Sequence, residues 1–151
     1  MSIATRWLTI AGISVAALCT GTADAQDTYG IGTAGAGGII PELSCTQAWL
    51  GNPGFDISVD KGVGGGVAVQ LIAALPWSFN VGGTMVLVDP GTLILTTAMV
   101  LGGPPGIPGA GSANTPLPLT GLGSDASLVG AWIYGQALVL DAALPGTVAA
   151  T

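Results

Sequence analysis

The stretch FDISVD, Phe55–Asp60, decides the fold class. Phe55, Ile57 and Val59 alternate with Asp56, Ser58 and Asp60. A period of two puts three apolar side chains on one face and three polar ones on the other, the pattern of a strand with one face in a core and one in water. Lys61–Gly66, KGVGGG, then reads as a flexible turn. Val67–Leu75, VAVQLIAAL, is apolar on both faces and reads as a central strand. Thr84–Val88, TMVLV, and Thr92–Val100, TLILTTAMV, read as two more.

Asp89-Pro90-Gly91 separates those two runs. Proline presets φ and glycine accepts a positive φ, so the tripeptide predicts a tight reversal. It also interrupts what would otherwise be one long apolar run, which argues against a membrane helix there. Gly102–Pro116 is dense in glycine and proline and reads as a loop, with Leu117–Leu119 an edge strand at best. A second loop follows, with Asp125 as a turn residue. Ala131–Leu140, AWIYGQALVL, reads as the longest strand. Trp132, Tyr134, Gln136, Leu138 and Leu140 share one of its faces; Ala131, Ile133, Ala137 and Val139 share the other. No stretch keeps a helical period over three turns. Short strands between Gly/Pro turns predict an all-β fold: a single antiparallel β-sandwich or jelly-roll-like domain over residues 26–151.

The segment before it has a different character. Arg6 precedes an apolar run from Trp7 to Leu18, and Ala23-Asp24-Ala25 follows in the small-x-small pattern of a cleavage site. The run is shorter than the roughly 20 residues that span a bilayer. Residues 1–25 are therefore expected to be a secretory signal peptide cut after Ala25, and the protein secreted, extracellular or on the cell surface. A lipoprotein reading through Cys19 is weaker, because bulky Leu18 precedes it.

The whole chain carries a net charge of -6. Arg6 and Asp24 cancel, so the part after the leader keeps that charge with Lys61 as its only base. One lysine cannot neutralise a phosphate backbone, so nucleic acid is not expected as a partner. Insertion into a membrane after cleavage is not expected either. Half of the residues are hydrophobic, too many for a disordered chain. Cys45 is the only cysteine after the leader. It is either buried and inert or available for an intermolecular bond.

No residue pattern points to catalysis. There is no histidine, which excludes a Ser-His-Asp triad and a nucleophilic Cys-His pair. One cysteine and no histidine offer no zinc site. Asp56 and Asp60, with Ser58 between, could hold calcium only weakly; the specific calcium-loop spacing is missing and a solvated strand face is the plainer reading. Gly30-x-Gly32-x-x-Gly35 has neither a strand before it nor a helix after it, so a dinucleotide site is rejected. Asp89 and Asp141 each end an apolar run shortly before a Pro-Gly or Ala-Ala-Leu-Pro-Gly stretch. Both read as turn residues that bind local backbone N–H groups, not as paired acids. No catalytic residue, cofactor or metal is expected. The candidate ligand-stacking aromatics are Trp49, Trp77, Trp132 and Tyr134; the competing reading places them in the core.

The mature chain also shows an ordered set of motifs. YGIGTAGAGGIIPEL (29–43), LGNPGFDISV (50–59), GGTMVLVDPG (82–91), a Gly/Pro-rich middle and LVGAWIYGQALVLD (128–141) follow one another. In this order they resemble a Gly/Pro-rich β module of secreted proteins of planctomycetes and other aquatic bacteria, often C-terminal in longer relatives. The resemblance implies an extracellular β domain with no assigned catalysis. The module is expected to stand alone here and to lack, after PGTVAAT, the short strand that relatives commonly add.

Two functional expectations follow. The first is a secreted, non-enzymatic structural or surface-associated module that self-associates through sheet edges or binds other extracellular surface components. The second is a carbohydrate- or matrix-binding module. Gln26–Leu43, with its Gly-rich lead, either completes a neighbour's sheet by strand addition or pairs within its own chain.

Overall fold

The computed structural model describes residues 27–122, 126–141 and 148–151. The expected leader at 1–25, the turn residue Asp125 and the Pro145-Gly146 turn lie outside the described residues. Within them the regular structure is mostly β strand with a few short 3-10 turns, and no helix is long and apolar enough to cross a membrane. The strands are β1 (Glu42–Cys45), β2 (Asp56–Gly62), β3 (Val67–Ala73), β4 (Pro76–Val81), β5 (Thr84–Val88), β6 (Leu93–Val100), β7 (Gly111–Pro116), β8 (Tyr134–Leu140) and β9 (Val148–Ala150). They form antiparallel sheets in the orders β1-β2-β7, β6-β3-β8-β9 and β4-β5.

β2 obeys its alternation. Phe55, Ile57 and Val59 are buried, while Asp56, Ser58 and Asp60 stay partly in water. Val59 packs in one cluster with Ala68, Leu101, Ala137, Val139 and Ala149, so residues of two sheets share a core. Phe55, Ile57 and Ile72 form a second cluster beside Leu43, Cys45 and Leu95. β3 is central as expected, between β6 and β8. Its faces differ, however: Ala68, Gln70 and Ile72 are buried, and Val69 and Leu71 only half-buried.

Several expectations need correcting. Lys61–Gly66 turns only in its second half, where the N–H of Gly66 donates to Val63 O (2.9 Å). The strand continues through Lys61, at φ 58, to Gly62. Gly64 then donates to the carbonyl of Ile107 (3.0 Å), and Gly65 to that of Leu101 (3.0 Å). A Cβ on Gly64 would sit 2.0 Å from the Pro104 carbonyl oxygen. Glycine is there because two loops pack backbone against backbone, so the residue type that reads as flexibility serves close approach. The Gly102–Pro116 stretch is not all loop either, since Gly111–Pro116 forms β7 on the edge of β2. Its proline is the terminal residue, where an edge strand tolerates the missing donor. Leu117–Leu119 forms no strand. Leu117 donates to Phe55 O, and a 3-10 turn begins at Leu119.

The strand expected over 131–140 begins only at Tyr134, and β6, at eight residues, outruns β8, at seven. β4 was not foreseen. It pairs with β5 across Gly82-Gly83, both at positive φ as a two-residue hairpin turn requires. Asp89-Pro90-Gly91 turns the chain, but as a corner and not as a hairpin, because β6 pairs with β3 and not with β5. Residues of the Gly-rich lead pair within their own chain: Thr33 bridges Ala150, and β1 pairs with β2.

Candidate functional site

In the Gly30-x-Gly32-x-x-Gly35 motif, Gly32 and Gly35 lie against β9, and Gly30 lies against Leu87 of β5. Thr33 exchanges backbone hydrogen bonds with Ala150 at 2.8 and 3.0 Å. A Cβ on Gly32 would stand 2.6 Å from the Ala150 carbonyl oxygen, and one on Gly35 would stand 2.9 Å from both the Ala149 Cβ and Asp141 Oδ2. The spacing therefore permits contact between two backbones. The N–H of Ala36 donates to Asp141 Oδ2 across 105 positions of sequence.

Asp141 thus reaches well beyond its own stretch of chain. It is buried and ties the end of β8 to the lead. Asp89 does behave as expected, its Oδ1 accepting from the N–H of Gly91 at 2.9 Å. Replacing Asp141 with asparagine, which keeps an oxygen acceptor but removes the charge, is expected to cost about 1 kcal/mol; alanine should cost about 2 kcal/mol. Urea unfolding of the two variants checks the order, and Asp89→Asn should stay within about 0.5 kcal/mol of the parent.

A cavity of about 570 Å³ opens where β1, the start of β2, the end of β3, the end of β5 and the start of β8 converge under the lead. Its lining includes Leu43 and Cys45 from β1, Phe55 and Ile57, Ile72, Leu87 and Val88. From the last crossing come Trp132, Ile133, Tyr134 and Gly135, and from the lead Asp27, Thr28, Tyr29, Gly30 and Gly32. Tyr29 and Tyr134 meet edge to face, their ring centroids 6.1 Å apart at 72°, a favoured aromatic geometry. The Tyr29 hydroxyl donates to the Trp77 carbonyl at 3.3 Å, linking the lead to the β4-β5 hairpin.

The four candidate aromatics are divided by this arrangement. Trp132 and Tyr134 line the cavity together; Trp49 and Trp77 do not. The three tryptophans are 66%, 54% and 49% exposed at 132, 49 and 77, so the core reading fails for them. A small β domain has too little interior for four large rings once its inner faces are filled by Val, Ile, Leu and Ala. Tyr29 belongs with the group but was missed, because it lies in a glycine-rich segment with no periodicity to place it.

The cavity's charges are acidic. Asp27 and Glu42 line it, and among the described residues no lysine or arginine does. Lys61 bonds Glu42 from outside the lining, and both side chains are more than half exposed, so the pair contributes little. Cys45 is half-buried, not buried. Burial, and then the charge of Asp56, pushes its thiol pKa above the ordinary value, which favours the protonated, poorly nucleophilic form. Asp56 accepts from the Asn114 side chain at 3.1 Å, and among the described residues no three His, Cys, Asp or Glu side chains gather as a metal site would need.

Two buried glutamines were not singled out by sequence. Gln136, on β8, binds the backbone of β5. Its Oε1 accepts from Leu87 N–H at 2.9 Å, and its Nε2 donates to the carbonyls of Met85 (2.8 Å) and Thr151 (3.2 Å). Gln70, on β3, is 0% exposed, and neither atom of its amide has a hydrogen-bond partner. A polar letter in an apolar strand was the signal available for both.

The chain matches no family model, no curated protein and no solved structure.

Proposed function

We propose that the protein is a secreted, non-enzymatic β-sandwich module that acts as a structural or surface-associated component. The observation that carries this reading is the use of the buried polar side chains that do form hydrogen bonds. Gln136 binds the backbone of β5, Asp141 that of the lead and Asn52 that of its own loop, and none of them lines the cavity. Reactive chemistry needs such groups turned toward a substrate. The sandwich itself is supported by the cluster that Val59 of one sheet shares with Ala68, Ala137 and Val139 of another. The Arg6, apolar-run and Ala23-Asp24-Ala25 pattern supports export.

Self-association falls to the edges the chain leaves open. The outer edge of β4 faces no strand among the described residues, and Trp77, Phe79 and Val81 alternate along it about half-exposed. Such an edge is a template for pairing. Expression with the native N-terminus, N-terminal sequencing of the exported product and sedimentation across concentration test the reading. A product starting at Gln26 that sediments above the monomer mass is expected. A product starting at Met1 and retained inside cells, or a strict monomer at high concentration, overturns the corresponding part.

A carbohydrate- or matrix-binding role is favoured by one observation, the exposure of Trp49, Trp77 and Trp132. Retardation in polysaccharide gels that disappears on Trp132→Ala would support it. Migration unaffected by any polysaccharide would remove it.

A further inference from the structure

We propose that the cavity beneath the lead is a binding site for a small, uncharged and mostly apolar molecule. The inference goes beyond the structural role and stands whether or not the chain is exported. The volume, about 570 Å³, falls within the range of roughly 300–1,000 Å³ typical of small-molecule sites. Its walls are held apart by ladders: β1 on β2 on one side, β3 on β8 on the other. The Tyr29–Tyr134 pair and the Tyr29 bond to Trp77 fix the side formed by the lead. Walls held by backbone hydrogen bonds do not close on an apolar hollow, and such a hollow accepts apolar guests.

The lining selects the class. Ile57, Ile72, Leu87 and Val88 have no polar side-chain atom to offer. A sugar would find polar side chains at Asp27, Thr28, Glu42 and Ser44, but its hydroxyls seated against the apolar four would go without partners, at about 1–3 kcal/mol for each group. An anion would meet Asp27 and Glu42 and no base. A neutral apolar molecule meets neither penalty, and it covers part of the Trp132 ring, now 66% exposed, with a gain proportional to the apolar area removed from water.

Two dyes with the same ring system separate these terms. N-phenylnaphthylamine is neutral, and anilinonaphthalene sulfonate carries a negative charge. The purified full chain is expected to bind the neutral dye saturably at one site with a rise in fluorescence, and the sulfonate at least about tenfold more weakly. Ala48→Trp places a large ring at an exposed lining position and should weaken the neutral dye about tenfold or more. Ser44→Phe, at a second exposed lining position, should act in the same direction and covers the case in which Ala48→Trp does not fold. Val100→Ser, on an exposed position outside the lining, should leave binding unchanged. No saturable rise with the neutral dye, or equal affinity for the sulfonate, overturns the proposal. So does parent-like binding by the folded lining variants, which would put the dye on another apolar surface, or displacement of the dye by an oligosaccharide.

Discussion

Gln136→Leu is expected to lower the unfolding free energy by about 3–5 kcal/mol and to release the β4-β5 hairpin from the four-stranded sheet. β5 reaches that sheet without strand pairing. The Gln136 amide stands in for a neighbouring strand: it accepts from the N–H of Leu87 and donates to the carbonyl of Met85, as a ladder partner would. Leucine has nearly the same volume, so the loss comes from hydrogen bonding and not from a cavity. Two backbone groups of β5 would be left unpaired in a buried setting, at about 1–3 kcal/mol each, and the bond to Thr151 is lost besides. Urea unfolding measures the total. Amide exchange locates it: Leu87 should exchange much faster in the variant, while Val69, inside the β3 ladder, should change only with global stability. A variant with parent stability would show that packing and the remaining bonds, such as that from the Thr84 hydroxyl to the Val148 carbonyl, suffice to hold the hairpin.

Gln70→Leu is expected to raise stability by about 2 kcal/mol. Gln70 and Gln136 occupy neighbouring rungs of one ladder, since Gln70 pairs with Ala137 and Leu71 with Gln136. Adjacent positions on a strand point to opposite faces, so the two amides enter different surroundings. Gln136 meets the backbone of β5. Gln70 lies between Ala68 and Ile72 on the inward face of β3, fully buried, with both amide atoms unpartnered. A buried polar group without a partner loses its hydration and receives nothing in return. Leucine removes that penalty at similar volume and adds apolar contact. A shift of the urea midpoint upward at unchanged slope is the expected result. A destabilised Gln70→Leu variant would mean that the amide finds a partner in solution. The opposite signs expected for the same substitution at neighbouring rungs make the pair an internal control.

The strand alternation and the turn chemistry were readable because both are local. Phe55, Ile57 and Val59 turned inward as their period of two requires, and Asp89 bonded Gly91 two residues on. β4 was missed because Trp77, Phe79 and Val81 keep about half of their surface, whereas strand recognition from sequence relies on one face being dry. β7 was missed because glycine and proline density lowers strand propensity without forbidding an edge strand beside β2.

The sequence by itself determined the β class, the inward face of β2, the central place of β3 and the net acidic charge. These follow from composition and from periods a few residues long. The tertiary structure alone decided that Asp141 ties the lead to the end of β8, and that Gly32 and Gly35 let the lead lie against β9. It also decided that Trp132 and Tyr134 meet Tyr29 at one cavity while Trp49 and Trp77 stay outside it. The physical reason is common to all three. A hydrogen bond or a ring contact depends on which backbone atoms come within a few ångströms. Residues a hundred positions apart acquire that closeness only when the order and register of the strands are set.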